Sequence, residues 1–569
     1  MRRYLPFAAF VAVQLIVVLL APSKPAVSAG PALGGSSPVS ATGTAAVPTS
    51  GGTGATAPTG GGSTGVPGTT AAPGAGKGGG SAGTGGGVVP TTSGSGTGSG
   101  GSTGTTATPR TGFGPGTFCV HGVIEHPTCV QKWYGGSNGG ATWQGVTAST
   151  VTVIMYRPQD NAAVDAILRA TGTYIPPADE QAMLSVANKF INTHYQLYGR
   201  TIHYVWMHGT CAIAPPDDAC FRTEADKIVA QYHPFALYYD GDTAESAFWD
   251  ELARHGVIGW GGWGFNDAFN QSLRPYHYDL FMGGDVQAQL AGELWCNALA
   301  GHKAIYAGGL LRNEVRKAAV VYPASATVTP SAKHLESIIN KCDPKGVLDA
   351  PYSSNTSTAA SQSTADTARE KAAGVTSIIW MSDPIAPAYG TVAENEQNWQ
   401  PEEVLAGGEL LDYDPLAQTY NSNVWKHAFG LSDLANASPV TNVDAGVIWR
   451  EEGHPGAPNS SANLLTSYAL AIAGGIEAAG PDLTPLKFEA GLLGSPGYDA
   501  WSSWHNPLLA YVKYGPGDYT GISDVRLVYW DPNAVSTYNH KRGAYVPLHG
   551  GERYQLGQLP KTISLPASV

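Results

Sequence analysis

From Thr150 to Ala406 the sequence alternates short runs of β-branched and aromatic residues with longer stretches whose apolar residues recur at helical spacing. Thr150–Tyr156 (TVTVIMY) reads as a strand, and Asp179–Tyr195 places Met183, Val186, Ala187, Phe190 and Ile191 on one helical face. Strands are predicted at Thr201–Met207, Phe235–Tyr239, Val257 and Tyr278–Met282, and helices at Phe221–His233, Glu245–His255 and Asp285–Ala300. After Gly301 the alternation restarts. Strands are predicted at Ala318–Tyr322, Gly346–Leu348, Ser377–Met381 and Val404–Ala406, and helices at Ser331–Lys341, Ala359–Ala373 and Ala388–Trp399. A helix, Ser460–Ala479, and an alternating run, Ile522–Trp530, close the chain. Nearly continuous apolar strands separated by helices require parallel sheets covered on both faces. The expected fold is therefore α/β, with two doubly wound parallel-sheet lobes and a central cleft. In such sheets ligands meet the loops at the carboxyl ends of the strands.

The two lobes occupy residues 113–569, and what precedes them is of another kind. Residues 1–29 have the parts of an export signal: basic Arg2 and Arg3, an apolar run from Tyr4 to Ala21, and a small-residue exit at Val27-Ser28-Ala29. An uncleaved membrane anchor is the alternative for the same run. Residues 30–112 are a Gly/Ser/Thr/Ala/Pro tract in which only Lys77 and Arg110 are charged. Such a tract has too little apolar area to offset the entropy of ordering, so it reads as a disordered linker reaching about 50 Å. The body is then extracellular or held at the cell envelope, touching membrane only through the N-terminal segment if that stays uncleaved.

The formal net charge of −12 excludes a basic stripe for nucleic acid. Six cysteines in an exported chain favour disulfides. Cys119/Cys129 and Cys211/Cys220 each enclose a short loop, and Cys296/Cys342 remain as a third candidate pair, although six cysteines allow about 15 connectivities. Gly259–Gly264 (GWGGWG) matches a dinucleotide string but falls at the fourth strand, before a poor helix start. It reads instead as a Gly-rich cleft loop that brings two indoles toward a ligand. Gly135–Gly139 (GGSNG) matches the nucleophile-elbow string without the strand and helix that motif needs. Cys119, His121, His126 and Cys129 offer a zinc set, which disulfide formation outside the cell would remove. No metal or other cofactor is expected.

Several stretches resemble the branched-chain amino acid (leucine-binding) receptors of ABC transporters, solute-binding proteins of type I periplasmic-binding fold. They are Gly145–Arg157, Gly301–Pro323, Gly374–Pro384 with Gln400-Pro401-Glu402-Glu403, Trp425–Ser432, and Ala473–Gly494 with its LTPLKFEAGLLG. The resemblance implies lobe one over about 113–300 plus 425–500, and lobe two over about 316–415 plus the C-terminal segment. It implies a non-enzymatic, extracellular binding protein that closes two lobes on a small molecule for amino acid transport or sensing, with an ABC-type permease as partner. Ligand contacts are implied in lobe one at Tyr156, Arg157, Asp240, Asp242, Thr243, Trp260 and Gly261. In lobe two they are implied at Tyr322, Tyr352, Ser353, Ser382 and Asp383.

Two features depart from that family. Asp240 and Asp242 flank the turn that holds a carboxylate in its amino-acid-binding members and would repel an anion, which points to a cation, amide or polyol unless both acids face solvent. No cysteine follows the leader for lipid attachment. A secreted enzyme reusing the fold and a cell-surface recognition module are the alternative readings.

Overall fold

The computed structural model describes residues 112–565 apart from 124–126, 240–245, 436, 496–497 and 500–510, with backbone alone at 498, 499 and 511. The expected leader and nearly all of the expected linker lie outside these residues. Among the described residues no helix is long and apolar enough to cross a membrane.

An antiparallel pair, β1 (Phe113–Phe118) and β2 (Val130–Trp133), opens the described chain. The first lobe follows as a five-stranded parallel sheet. Its strands are β3 (Thr150–Arg157), β4 (Thr201–His208), β5 (Ala236–Tyr239), β6 (Ile258–Trp260) and β7 (His277–Tyr278), in the order β4-β3-β5-β6-β7. Side chains alternate across a strand, and here both faces are buried. On β3, Val151, Val153 and Met155 enter the core shared with the helix Pro177–His194, while Ile154 and Tyr156 enter a separate cluster under the helices Asp218–Tyr232 and Ser246–Arg254.

The second sheet carries β8 (Ala318–Pro323), β9 (Val347–Tyr352), β10 (Ser377–Trp380), β11 (Glu402–Ala406) and β12 (Ala428–Ser432), all parallel. A short antiparallel pair, β13 (Tyr498–Asp499) and β14 (Tyr511–Val512), comes next in the chain. The C-terminal strands β15 (Asp524–Val535), β16 (Arg542–Pro547) and β17 (Arg553–Gln555) then extend the second sheet antiparallel beyond β12. The second sheet is therefore mixed, because the last part of the chain returns as a hairpin, a local connection that a parallel strand cannot use.

Most predicted elements are present with shifted ends. The helix expected to run to Ala300 stops at Leu294 and passes into a π-helical turn, Trp295–Leu299. The strand expected at Gly346–Leu348 extends to Tyr352. The segment 425–432, assigned by resemblance to lobe one, ends instead in β12 of the second sheet. β12 lies so close to β11 that a Cβ on Gly430 would meet the Leu405 backbone nitrogen at 2.6 Å, so only glycine fits there. All three candidate disulfides are formed: Cys119–Cys129, Cys211–Cys220 and Cys296–Cys342. The first of them occupies both thiols of the alternative zinc set.

Where the chain first crosses between lobes, Arg316 is 4% exposed and forms a two-pronged ion pair with Glu402, which is fully buried. Nε donates to Oε2 at 2.7 Å and Nη2 to Oε1 at 2.8 Å. The Tyr306 amide and the Ser377 hydroxyl also donate to Glu402. The pair ties the crossing segment to the base of β10 and β11.

Several interior carboxyls lack a cation. Burial pushes Asp279 and Glu370 up to about 7, and Glu403 and Glu477 up to about 8. An acid with a raised folded-state pKa binds more protons folded than unfolded, so stability falls as pH rises through that pKa. His277 and His427, depressed by burial to about 3 and about 4, act in the opposite sense only below their unfolded value of about 6.5. The melting temperature is therefore expected to drop between about pH 6.5 and about pH 8.5. Calorimetry across that interval checks it, and a flat or rising profile contradicts it.

Candidate functional site

Two adjoining cavities lie where the carboxyl ends of both sheets face each other, and both take walls from both lobes. The larger encloses about 300 Å³. Lobe one contributes Arg157, Tyr174, Ile175 and Trp263, and lobe two contributes Leu410, Tyr413, Leu416 and Tyr538. The smaller, about 80 Å³, reaches into lobe two between the helices Ala359–Ala372 and Ala386–Glu396. The two share Val164, Ile213 and Ile385 as walls.

Local structure sets each wall. After β3 the helix Ala162–Thr171 begins with Asn161, whose side chain accepts from the amides of Ala163 and Val164, and ends at Gly172 with φ of 80°. That exit places Tyr174 under the Arg169 guanidinium, 3.4 Å from its ring centroid. Arg157, last in β3, turns into the larger cavity already engaged. Nε and Nη2 donate to Asp160 at 3.1 and 2.9 Å, and Nη1 donates to the Ile175 carbonyl at 3.0 Å and to Glu180. Glu180 also accepts from the Trp206 indole at 2.8 Å. Across the cleft, Asp383 accepts from the amides of Ile385 and Ala386 at 2.8 and 3.1 Å and from the Tyr352 hydroxyl. Burial is the main cause raising its pKa.

Of the residues expected to bind ligand, Arg157 lines the larger cavity, and Tyr352, Ser353 and Asp383 line the smaller. Asp240, Asp242 and Thr243 lie outside the described residues. The other five line neither cavity. Tyr156 points to the outer face of its sheet, where its hydroxyl donates to Glu224. Trp260 is fully buried among Tyr278, Phe488 and Tyr514. A Cβ on Gly261 would meet the Tyr239 carbonyl at 2.9 Å, so this glycine serves internal packing. Tyr322 donates to Asp349 at 2.9 Å, and Ser382 is buried with its hydroxyl donating to the Asp383 carbonyl.

The Gly-rich loop after β6 does bring an indole to the cleft. It is Trp263, whose Nε1 donates to the Tyr468 hydroxyl at 3.0 Å and whose ring lines the larger cavity. A helix, Asp267–Ser272, follows this loop, started by the Asn266 side chain accepting from the Phe269 amide at 2.9 Å. The glycines before it are tightly packed against neighbouring side chains. A Cβ on Gly264 would sit 2.3 Å from Glu409, and one on Gly262 would sit 2.6 Å from the Phe265 ring. Gly135–Gly139 lies outside helix and strand, as expected for a chance match to the elbow string.

No protein-family model and no curated protein matches the sequence. Solved structures are similar at low identity. A fatty acid ABC transporter substrate-binding protein from Thermomonospora curvata gives a TM-score of 0.50 at 14% identity, covering 74% of this chain and 98% of that one. A periplasmic binding protein from Burkholderia mallei gives 0.50 at 11%, covering 72% and 96%. A branched chain amino acid ABC transporter from Thermus thermophilus with bound valine gives 0.49 at 12%, covering 72% and 97%. The likeness shows the fold, that of the type I periplasmic binding proteins with two sheet-based lobes.

Proposed function

We propose that this chain is an exported, non-enzymatic solute-binding protein whose two lobes close on a small molecule. The observation that carries the reading is the pair of cavities walled by both lobes at the carboxyl ends of both sheets. The fold supports it, because two lobes joined by crossing segments can open and close as units. Three disulfides support an extracytoplasmic body.

A receptor is favoured over an enzyme on the two-lobed fold and the make-up of the cleft walls. Tyr352 is bonded to Asp383, and the Tyr468 hydroxyl behind the wall holds Trp263. The cleft is mainly aromatic and aliphatic, which suits a solute with a substantial apolar body. Uptake through an ABC-type permease, or sensing, is the proposed role.

Trp263→Leu tests the reading. It removes an aromatic wall from the larger cavity and is expected to weaken solute binding about tenfold, measured by calorimetric titration with a ligand found in a thermal-shift panel. Unchanged affinity in a folded variant would move the site away from this cleft.

A further inference from the structure

Two of the carboxyls that wall the smaller cavity, Glu370 and Glu394, form no ion pair among the described residues. Glu370 and Glu394 line it from facing helices and are 4% and 1% exposed. Glu403 on β11 and Glu394 share a hydrogen bond, so one of the two carboxyls holds a proton. Among the described residues no N–H donates to Glu394 Oε2 or to Glu403 Oε1, while Glu403 Oε2 accepts from the Trp380 indole at 2.6 Å. The nearby Arg369 is half-exposed and paired with Asp366 at 3.3 Å. Buried carboxyls without a counter-ion are costly to ionise, and here they border a cavity whose other walls include Trp380, Tyr352 and Tyr389.

The larger cavity has the same bias. Its described charged lining residues are Arg157, Asp160, Asp165 and Glu180, and the guanidinium is engaged by Asp160 and Glu180. A ligand carboxylate would face four acids in the smaller cavity, Asp366, Glu370, Asp383 and Glu394, and an occupied arginine in the larger. A bare metal ion fits poorly as well. Among the described residues the group of three acid or histidine ligand atoms within 4.8 Å of one another is Asp226, Glu251 and His255, away from both cavities.

We infer that the solute is an organic amine, its protonated nitrogen seated between Glu370 and Glu394 and its apolar or aromatic body running past Trp380 and Tyr352 toward the larger cavity. The inference rests on the solute-binding reading and adds the ligand's chemical class. Charge-assisted hydrogen bonds from the ammonium group would give these carboxyls a counter-ion, and the flanking rings favour a cation.

The test is a fluorescence titration of the full secreted protein, at about pH 8, with 2-phenylethylamine, 2-phenylethanol and phenylacetate, three probes of similar size and different charge. The amine is expected to bind at least about tenfold more tightly than the alcohol, and the carboxylate most weakly. Glu394→Gln, and independently Glu370→Gln on the facing helix, should bring the amine-to-alcohol ratio near one, with thermal melts confirming that each variant folds. Equal binding of amine and alcohol, preference for phenylacetate, or an unchanged ratio in both variants overturns the amine assignment and leaves the solute-binding reading standing. No binding by any probe overturns the assignment and counts against the reading as well.

Discussion

Trp260→Ala is expected to destabilise the protein by about 3–5 kcal/mol, the cost of emptying a fully enclosed aromatic site. The indole packs against Tyr278, Phe488 and Tyr514 with none of its surface exposed. Phe488 belongs to the helix Pro485–Gly494, so this side chain holds a late helix onto the first sheet. Denaturant unfolding measures the loss. Solute affinity per folded molecule should be unchanged. A loss below about 1 kcal/mol together with abolished binding would return Trp260 to the ligand site.

Arg316→Leu is expected to cost a similar amount, about 3–5 kcal/mol, because it leaves Glu402 buried without its counter-ion. The Tyr306 amide and Ser377 hydroxyl still reach that carboxylate but cannot balance its charge. The double variant Arg316→Leu/Glu402→Leu should recover much of the loss, since breaking a buried pair costs more than replacing both partners by apolar groups. Equilibrium unfolding of the three proteins tests this. A single variant within about 0.5 kcal/mol of the parent would mean that the crossing segment is not anchored there.

The sequence makes the architecture legible because both sheets are buried on two faces, which writes each core strand as a short apolar run. TVTVIMY and SIIWM are such runs and become β3 and β10. β12 is quieter: AFGLS has no β-branched residue, and its glycine reflects contact with the Leu405 backbone, a tertiary fact. The helix Asp267–Ser272 is polar and short, so its start depends on the Asn266 cap more than on periodicity.

The site is less legible than the fold. Which residue faces the cleft changes within one or two positions at a strand end, as Tyr156 and Arg157 show by pointing to different places. Trp260 ends β6 and Trp263 lies three residues on in the loop after it, and only the geometry there separates the core indole from the cavity indole. Tyr413 and Tyr538 line the same cavity as Tyr174 and Trp263 across large sequence separations, with no local pattern announcing it. Arg157 is implied by the resemblance as a ligand contact, but Glu180, brought beside it by the helix Pro177–His194, leaves its guanidinium engaged. Glu370, Glu394 and Glu403 lie on two helices and a strand, and their proximity follows from the stacking of those helices on the second sheet.

The measurement that bears most directly on lobe closure is hydrogen–deuterium exchange of the intact protein with and without the tightest binder of the three aromatic probes. Closure predicts slowed exchange on both sides of the cleft at once: in lobe one over residues 172–176, and in lobe two over residues 383–386 and 410–416. Protection confined to one lobe, or no protection at saturation, would contradict a two-lobed receptor that closes on its solute.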